Sequence, residues 1–211
     1  MTAEKHIAAG QVEEWVLVDE QDVDLYVRQA ANSVLRIVLV NFHSATNVLH
    51  IDHTAPNCRT EVYALAFLKG KEHVETKTCM HHDVGEGVSE QVVKFVLDDE
   101  AKGAFVGELK IKKDAQRVEA QQTNRNILLS RTATMRTQPQ LEIYADDVKA
   151  SHGATTGQLD ESALFYMRQR GISPESGRRM LLHAFMSDIV EKVSDEHQRQ
   201  VLVDAIDGVL E

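Results

Sequence analysis

Cysteine, proline and aromatic side chains are all scarce in this sequence. Aromatics make up 5%, so readout of nucleic acid by base stacking has little to work with. The two cysteines, Cys58 and Cys79, cannot build a disulfide framework and suit a reduced, cytoplasmic setting. Three prolines leave no Pro-rich linker between domains. Apolar runs such as Ile37 to Val40 are far short of the roughly 20 residues of a spanning helix. Met1 to Gly10 carries Glu4, Lys5 and His6 without an apolar stretch, so it does not read as a secretory signal. A soluble chain with no membrane contact is expected. Positive charge is also short: 23 Lys plus Arg stand against 33 Asp plus Glu, a net −10. That balance argues against a nonspecific grip on the DNA backbone, and no nucleic-acid partner is expected.

What is present is a large apolar fraction, 43% of 211 residues, enough for one large domain or two small ones. Before Asp160, Val/Ile/Leu-rich runs recur about every ten residues, the rhythm of an all-β protein. Arg36 to Phe42 is apolar on both faces at its centre, as in a strand buried on both sides. Phe105 to Lys112 alternates: Leu109 and Ile111 share an apolar face, and Glu108, Lys110 and Lys112 a polar one. No amphipathic helix separates the runs, which disfavours a doubly wound sheet. A sandwich, a barrel and a stacked solenoid remain open, without strict sequence repeats.

From Asp160 the pattern turns helical. Asp160 can cap a helix through Leu164, Phe165, Met167 and Arg168, with Gly171 closing it. Ser173-Pro174-Glu175 restarts a helix whose apolar stripe reads Met180, Leu181, Ala184, Phe185, Ile189 and Val193. Ser194-Asp195-Glu196 opens a third, with Val201, Leu202, Ala205, Ile206, Val209 and Leu210. The expected division is residues 1–159 for the β part and 160–211 for a small helical domain.

Nucleotide and hydrolase signatures are missing. Gly70-Lys71 lacks the rest of a P-loop, and Gly85-Glu86-Gly87 lacks the third glycine of a dinucleotide fingerprint. There is no nucleophile elbow and no His-Glu-x-x-His helix, so a free-standing enzyme is not expected. Cys79-Met80-His81-His82-Asp83 gathers thiol and imidazole donors that suit zinc or iron-sulfur chemistry. On a strand, Cys79 and His81 would share one face and His82 the other. The plainer reading is a buried Cys beside partly exposed histidines at a strand end. Asp146 to Gly157 reads as a turn-rich loop whose small residues admit close backbone approach, with His152 as a titratable ligand or proton carrier. Gln121 to Asn126, leading into Ile127 to Ser130, reads as a polar ladder bonded between strands.

Several of these stretches together resemble the SufB/SufD family of iron-sulfur cluster assembly proteins. The likeness runs through Gly103 to Gly107, Ala115-Gln116, Asn124 to Ser130, Thr137 to Ile143, Ala145 to Lys149, Ser151 to Thr155, Leu159 to Glu161, Leu164 to Arg168 and Arg170 to Ile172. Pro139 to Ile172 is its most specific part. The resemblance implies a right-handed parallel β-helix followed by a small helical domain. It implies a scaffold or partner subunit that, with SufB and the ATPase SufC, supports assembly of a nascent iron-sulfur cluster. Reduced flavin is associated with the assembled complex rather than with this subunit in particular.

Family members often carry Cys where this sequence has Ala150, and SufB uses that Cys as a cluster-site thiolate. Its loss favours a SufD-like subunit, with His152 matching the histidine implied to face the SufB cysteine. The resemblance also implies that the helices dock SufC, with Leu164, Phe165, Tyr166 and Arg168 as candidate surface; core packing is the competing reading of Phe165. Members run to about twice this length with an N-terminal helical region, so a fragment, a trimmed form or a short member is expected. Three rival readings stand beside this one. The chain could recruit the ATPase without iron chemistry. It could be a carbohydrate-active β-helix using Asp146 and Asp147. In isolation it could form a homodimer through an uncovered sheet edge.

Overall fold

Each strand pairs in parallel with the strand two places along the chain, so the backbone alternates between two sheets as it advances. The computed structural model describes residues 2–210. In chain order the strands are β1 (Ala3–Ile7), β2 (Val12–Val18), β3 (Asp22–Gln29), β4 (Val34–Asn41), β5 (Ala45–His53) and β6 (Arg59–Leu68). They continue as β7 (His73–His82), β8 (Val88–Leu97), β9 (Lys102–Ile111), β10 (Val118–Leu128), β11 (Thr134–Ile143) and β12 (Val148–Gly157). Odd-numbered strands form one six-stranded sheet and even-numbered strands the other. This is a parallel β-helix, the solenoid that the resemblance implies and the one of the three open architectures that is realised.

The main core lies between the sheets, where Leu35, Ile37 and Leu39 meet Leu49, Phe95, Phe105 and Leu109. Val38 and Val40, on the opposite face of β4, are equally buried in a second core beneath the helices. That explains why Arg36 to Phe42 is apolar on both faces. Each such side chain contributes roughly 1.5–3 kcal/mol of hydrophobic stabilisation.

Three helices follow: α1 (Glu161–Gln169), α2 (Pro174–Val190) and α3 (Glu196–Leu210). Their boundaries sit where the caps place them. Asp160 Oδ1 accepts from the Ser162 and Ala163 amides, Ser173 Oγ from Ser176 N, and Asp195 Oδ1 from Gln198 N, each satisfying an amide that the helix leaves without a partner. Gly171 takes the left-handed conformation after α1. The apolar stripe of α2 is rotated from the expected one: Leu182, Met186, Ile189 and Val190 are buried, whereas Met180 and Ala184 face solvent. In α3, Leu202 and Ile206 dock and Val201 is exposed. The face that docks is set by the Val38, Leu65, Phe67 and Val96 surface of the even sheet, which the helix periodicity alone does not specify.

Polar anchors fix the helices to that sheet. Lys94 of β8 is 2% exposed and donates to Asp188 Oδ2 at 2.6 Å and to the Phe185 carbonyl at 2.7 Å. Arg36 of β4 pairs with Glu61 and Glu14 and donates to the Lys192 carbonyl and to Ser194 Oγ. Lys69 donates to the Val209 carbonyl at 2.7 Å.

The coils share a corner although they share no sequence repeat. Gly10, Asn32, Asn57, Glu86 and Arg117 stand one at each of the first five of the six corners between an odd strand and the next even one, all with positive φ. Amide-to-carbonyl bonds such as Asn32 N to Pro56 O and Glu86 N to Gln116 O stack one corner on the next. One expectation is corrected here. Most of Asp146 to Gly157 is not a loop but β12, paired along its length with β10. Small and polar residues lack the alternating apolar signal of a half-buried strand, and β12 is a largely exposed edge strand.

Candidate functional site

The even sheet ends on β12 and the odd sheet on β11, so both terminate in an edge strand at the same end of the β-helix. His152 lies mid-strand on β12 and is exposed. Val148 and Ala150 pack against the core between the sheets. His152, two residues on, shares their face. It stands in register with Gln122, which stands in register with Gln91. Both amide atoms of buried Gln122, and Oε1 of Gln91, have no hydrogen-bond partner. A groove of about 270 Å³ runs beside His152 between Gln121, Arg125, Ser151 and Thr155. The Gln121 to Asn126 ladder is bonded between strands as expected at its far end. There Asn124 and Asn126 exchange amide bonds, and Asn126 also donates to the Thr155 carbonyl.

The Cys79, His81 and His82 knot divides by face as strand alternation requires. His82 points inward and is fully buried, contrary to the expected partial exposure. Its ring stacks edge-on against His53 at 4.5 Å. His82 Nε2 lies 2.8 Å from Ser89 Oγ, and His53 Nε2 lies 2.8 Å from Thr60 Oγ1. Both Nδ1 atoms lack partners. Burial, with the charge of neighbouring His81 second, pushes the His82 imidazole down to about 4. Burial pushes His53 down as well. The pair is therefore neutral near pH 7.

Cys79 and His81 point outward from the odd sheet. Burial pushes the Cys79 thiol up, which keeps it protonated. His81 meets two residues of the neighbouring strand that sequence reasoning missed, His50 and Asp52. One donor atom from each of the three lies within 4.8 Å of the others. The register sets this meeting: Asp52 is opposite His81, and His50 opposite Cys79. Burial pushes the Asp52 carboxyl up, but hydrogen bonds from His81 and Tyr26 and the nearby imidazoles outweigh it and hold it at about 2. The Asp52 bond in turn raises His81 against the effect of burial. The only linear signal was that Asp52-His53 and His81-His82 stand one coil apart.

On α1, Phe165 is 53% and Tyr166 56% exposed, so core packing of Phe165 is excluded. Arg168 lies over the Phe165 ring and Arg170 over the Tyr166 ring. Leu164 is half-buried, and no residue of α1 is fully buried. The four candidate docking residues thus sit on the least anchored helix, whereas His152 sits on an edge of the β-helix.

Residues 13–185 match the family described as SUF system FeS cluster assembly, SufBD core domain. The chain belongs to the SufBD family. It is 37% identical over 144 residues to the iron-sulfur cluster assembly protein SufD of Escherichia coli, covering 68% of this chain and 34% of that protein. It is 33% identical over 169 residues to an iron-sulfur cluster assembly SufBD family protein of Synechocystis, covering 79% and 37%. A chloroplastic protein of Arabidopsis thaliana is 31% identical over 188 residues, covering 88% and 40%. This SufBD chain therefore spans between a third and two fifths of these curated relatives. Membership in the SufBD family does not favour the carbohydrate-active reading. No helix among the described residues is long and apolar enough to cross a membrane. The grooves beside β12 in this SufBD chain are lined by Glu, Gln, Asn, Ser, Thr, Lys, Arg, Val, Gly, Ala and His152. They hold no Phe, Tyr or Trp ring to cover an isoalloxazine, so these residues do not fit a reduced flavin.

Proposed function

We propose that this SufBD protein is a SufD-like scaffold subunit, not a free-standing enzyme. In this reading it supports assembly of a nascent iron-sulfur cluster in the cytoplasm together with a SufB-like subunit and a SufC-like ATPase. One observation carries the reading: exposed His152 lies at the centre of an edge strand paired on one side only, at the end where both sheets stop. An edge strand offers rows of free N–H and C=O groups to a partner strand. Gly153, where nothing lies within 4 Å of an added Cβ, leaves room for a second β-helix to approach closely. His152 then offers an imidazole to iron at the interface. The thiolate comes from the partner, because Ala150 supplies none.

Residues 1–159 form the scaffold core in this reading, and residues 160–211 the helical domain that receives the ATPase. Leu164, Phe165, Tyr166 and Arg168 supply the docking surface on α1. Support comes from the exposure of its two aromatic rings and from the absence of fully buried residues on that helix.

The test is reconstitution with SufB-like and SufC-like partners, with iron and acid-labile sulfide measured in the purified complex. His152→Ala is expected to lower the cluster yield while the complex still forms. An unchanged yield overturns the ligand role and leaves a module that only recruits the ATPase. Phe165→Ala with Tyr166→Ala is expected to lose the ATPase without lowering the melting temperature.

A further inference from the structure

Well away from His152, on the outer face of the odd sheet, three donor atoms converge on one point. Asp52 Oδ1 lies 2.9 Å from His50 Nε2 and 3.2 Å from His81 Nδ1. The two imidazoles lie edge to face with centroids 4.6 Å apart. Nothing in the reading of His152 uses these residues.

We propose that His50, Asp52 and His81 form a binding site for a divalent first-row transition cation. Two imidazoles and one carboxylate on one side of an ion are the donor set that suits iron(II) with open positions, and imidazole donors also suit zinc. The donor atoms already lie within 4.8 Å of one another. Ligands at about 2.0–2.2 Å from one ion need only a small further closure.

The surrounding bonds select which atom of each residue is left for the ion. His81 Nε2 is held by Glu108 at 3.2 Å, leaving Nδ1 facing the centre. The Tyr26 hydroxyl donates to Asp52 Oδ2, leaving Oδ1. Carboxylates that hold the far nitrogen of a ligating histidine are the usual outer support of a metal site. The nearby cations are engaged elsewhere: Arg28 with Tyr26 and Glu4, and Lys110 with Glu142. Four strands contribute, and only β-helix stacking places them side by side. Tyr26 and His50 are neighbours in register between β3 and β5, Asp52 and His81 between β5 and β7, and Cys79 and Glu108 between β7 and β9.

The experiment is calorimetric titration of the whole chain with zinc(II), repeated with cobalt(II) followed by its visible absorption. A single equivalent is expected to bind, and His81→Ala and Asp52→Asn are expected to abolish it. Tyr26→Phe and Glu108→Gln remove only supporting bonds and are expected to weaken binding by about tenfold or more. These two variants keep the test decisive if the ligand variants fold poorly. His152→Ala is expected to bind the cation as the parent does, which separates this site from the proposed cluster interface. The proposal is overturned if the parent chain takes up no stoichiometric zinc or cobalt. It is equally overturned if uptake persists unchanged in His81→Ala or in Asp52→Asn.

Discussion

His152 lies in register opposite Gln122, a buried side chain whose two amide atoms bond to nothing in the protein. Desolvating an amide without partners costs about 1–3 kcal/mol, whereas an apolar group of similar shape bears no such cost. Gln122→Leu is therefore expected to leave the urea midpoint unchanged or to raise it, by up to about 1 kcal/mol in stability. A clear loss of stability would mean that the amide has a partner after all. If the polar amide is kept for its position beside His152, the same variant will lower cluster yield while folding well.

Lys94 and Asp188 predict an asymmetry. The ammonium is buried while its carboxylate partner is largely exposed. Asp188→Ala leaves a buried charge with only the Phe185 carbonyl, and should cost about 2 kcal/mol. Lys94→Met removes the charge itself and fills the space with apolar atoms, so it should cost less. Denaturant melts of the two single variants check the order, and the reverse order would show that the ammonium is not the liability.

Acid should loosen the segment between α2 and α3 before it loosens the β-helix. Burial raises Glu14, but bonds from Ser194 and Arg36 outweigh it and bring the carboxyl below its ordinary 4.5. Glu61 is lowered likewise by Arg59 and Arg36 against burial. A lowered folded-state value means that the unfolded chain binds protons first as pH falls. The stabilisation is present above about pH 4.5 and is lost as pH drops through the lowered values. Hydrogen exchange at residues 192–196 should accelerate below pH 4.5 while β4, β6 and β8 stay protected. Glu14→Gln should flatten that dependence.

Glycine substitutions should separate folding from docking. A Cβ at Gly85 would collide with the Gln116 backbone carbonyl at a stacked corner, and one at Gly87 would lie 2.7 and 2.8 Å from the Nδ1 atoms of His82 and His53. Overpacking of this kind costs about 1–3 kcal/mol, so Gly85→Ala and Gly87→Ala should lower the melting temperature. Nothing lies within 4 Å of a Cβ at Gly153. Gly153→Glu should stay within about 0.5 kcal/mol of the parent yet prevent capture of a SufB-like partner. Normal capture by that variant would place the partner elsewhere than on β12.

Local patterns revealed most of the fold, and register revealed most of the chemistry. β4 was readable because its two apolar faces meet two different cores. The α1 and α2 boundaries were readable because Asp160, Ser173 and Pro174 act on their own next few residues. β12 was not, because an edge strand of small polar residues carries no period. The docking face of α2 was missed because the sheet beneath it makes the choice. The faces of Cys79, His81 and His82 followed from alternation alone. The meeting of His81 with His50 and Asp52 depends on a coil length that no local pattern encodes.

The anchoring of α2 and α3 on the even sheet alone has a mechanical consequence. Lys94 ties α2 to β8, and β12 lies two strands further on in the same hydrogen-bonded plate, roughly 10 Å away at the usual strand spacing. A load applied at α2 or α3 therefore reaches the His152 edge in shear, through two parallel strand ladders in series, whereas α1 pulls on β12 directly through residues 158–160. The odd sheet, with His50, Asp52 and His81, is coupled to that load only through the apolar contacts between the sheets and the corners that join them.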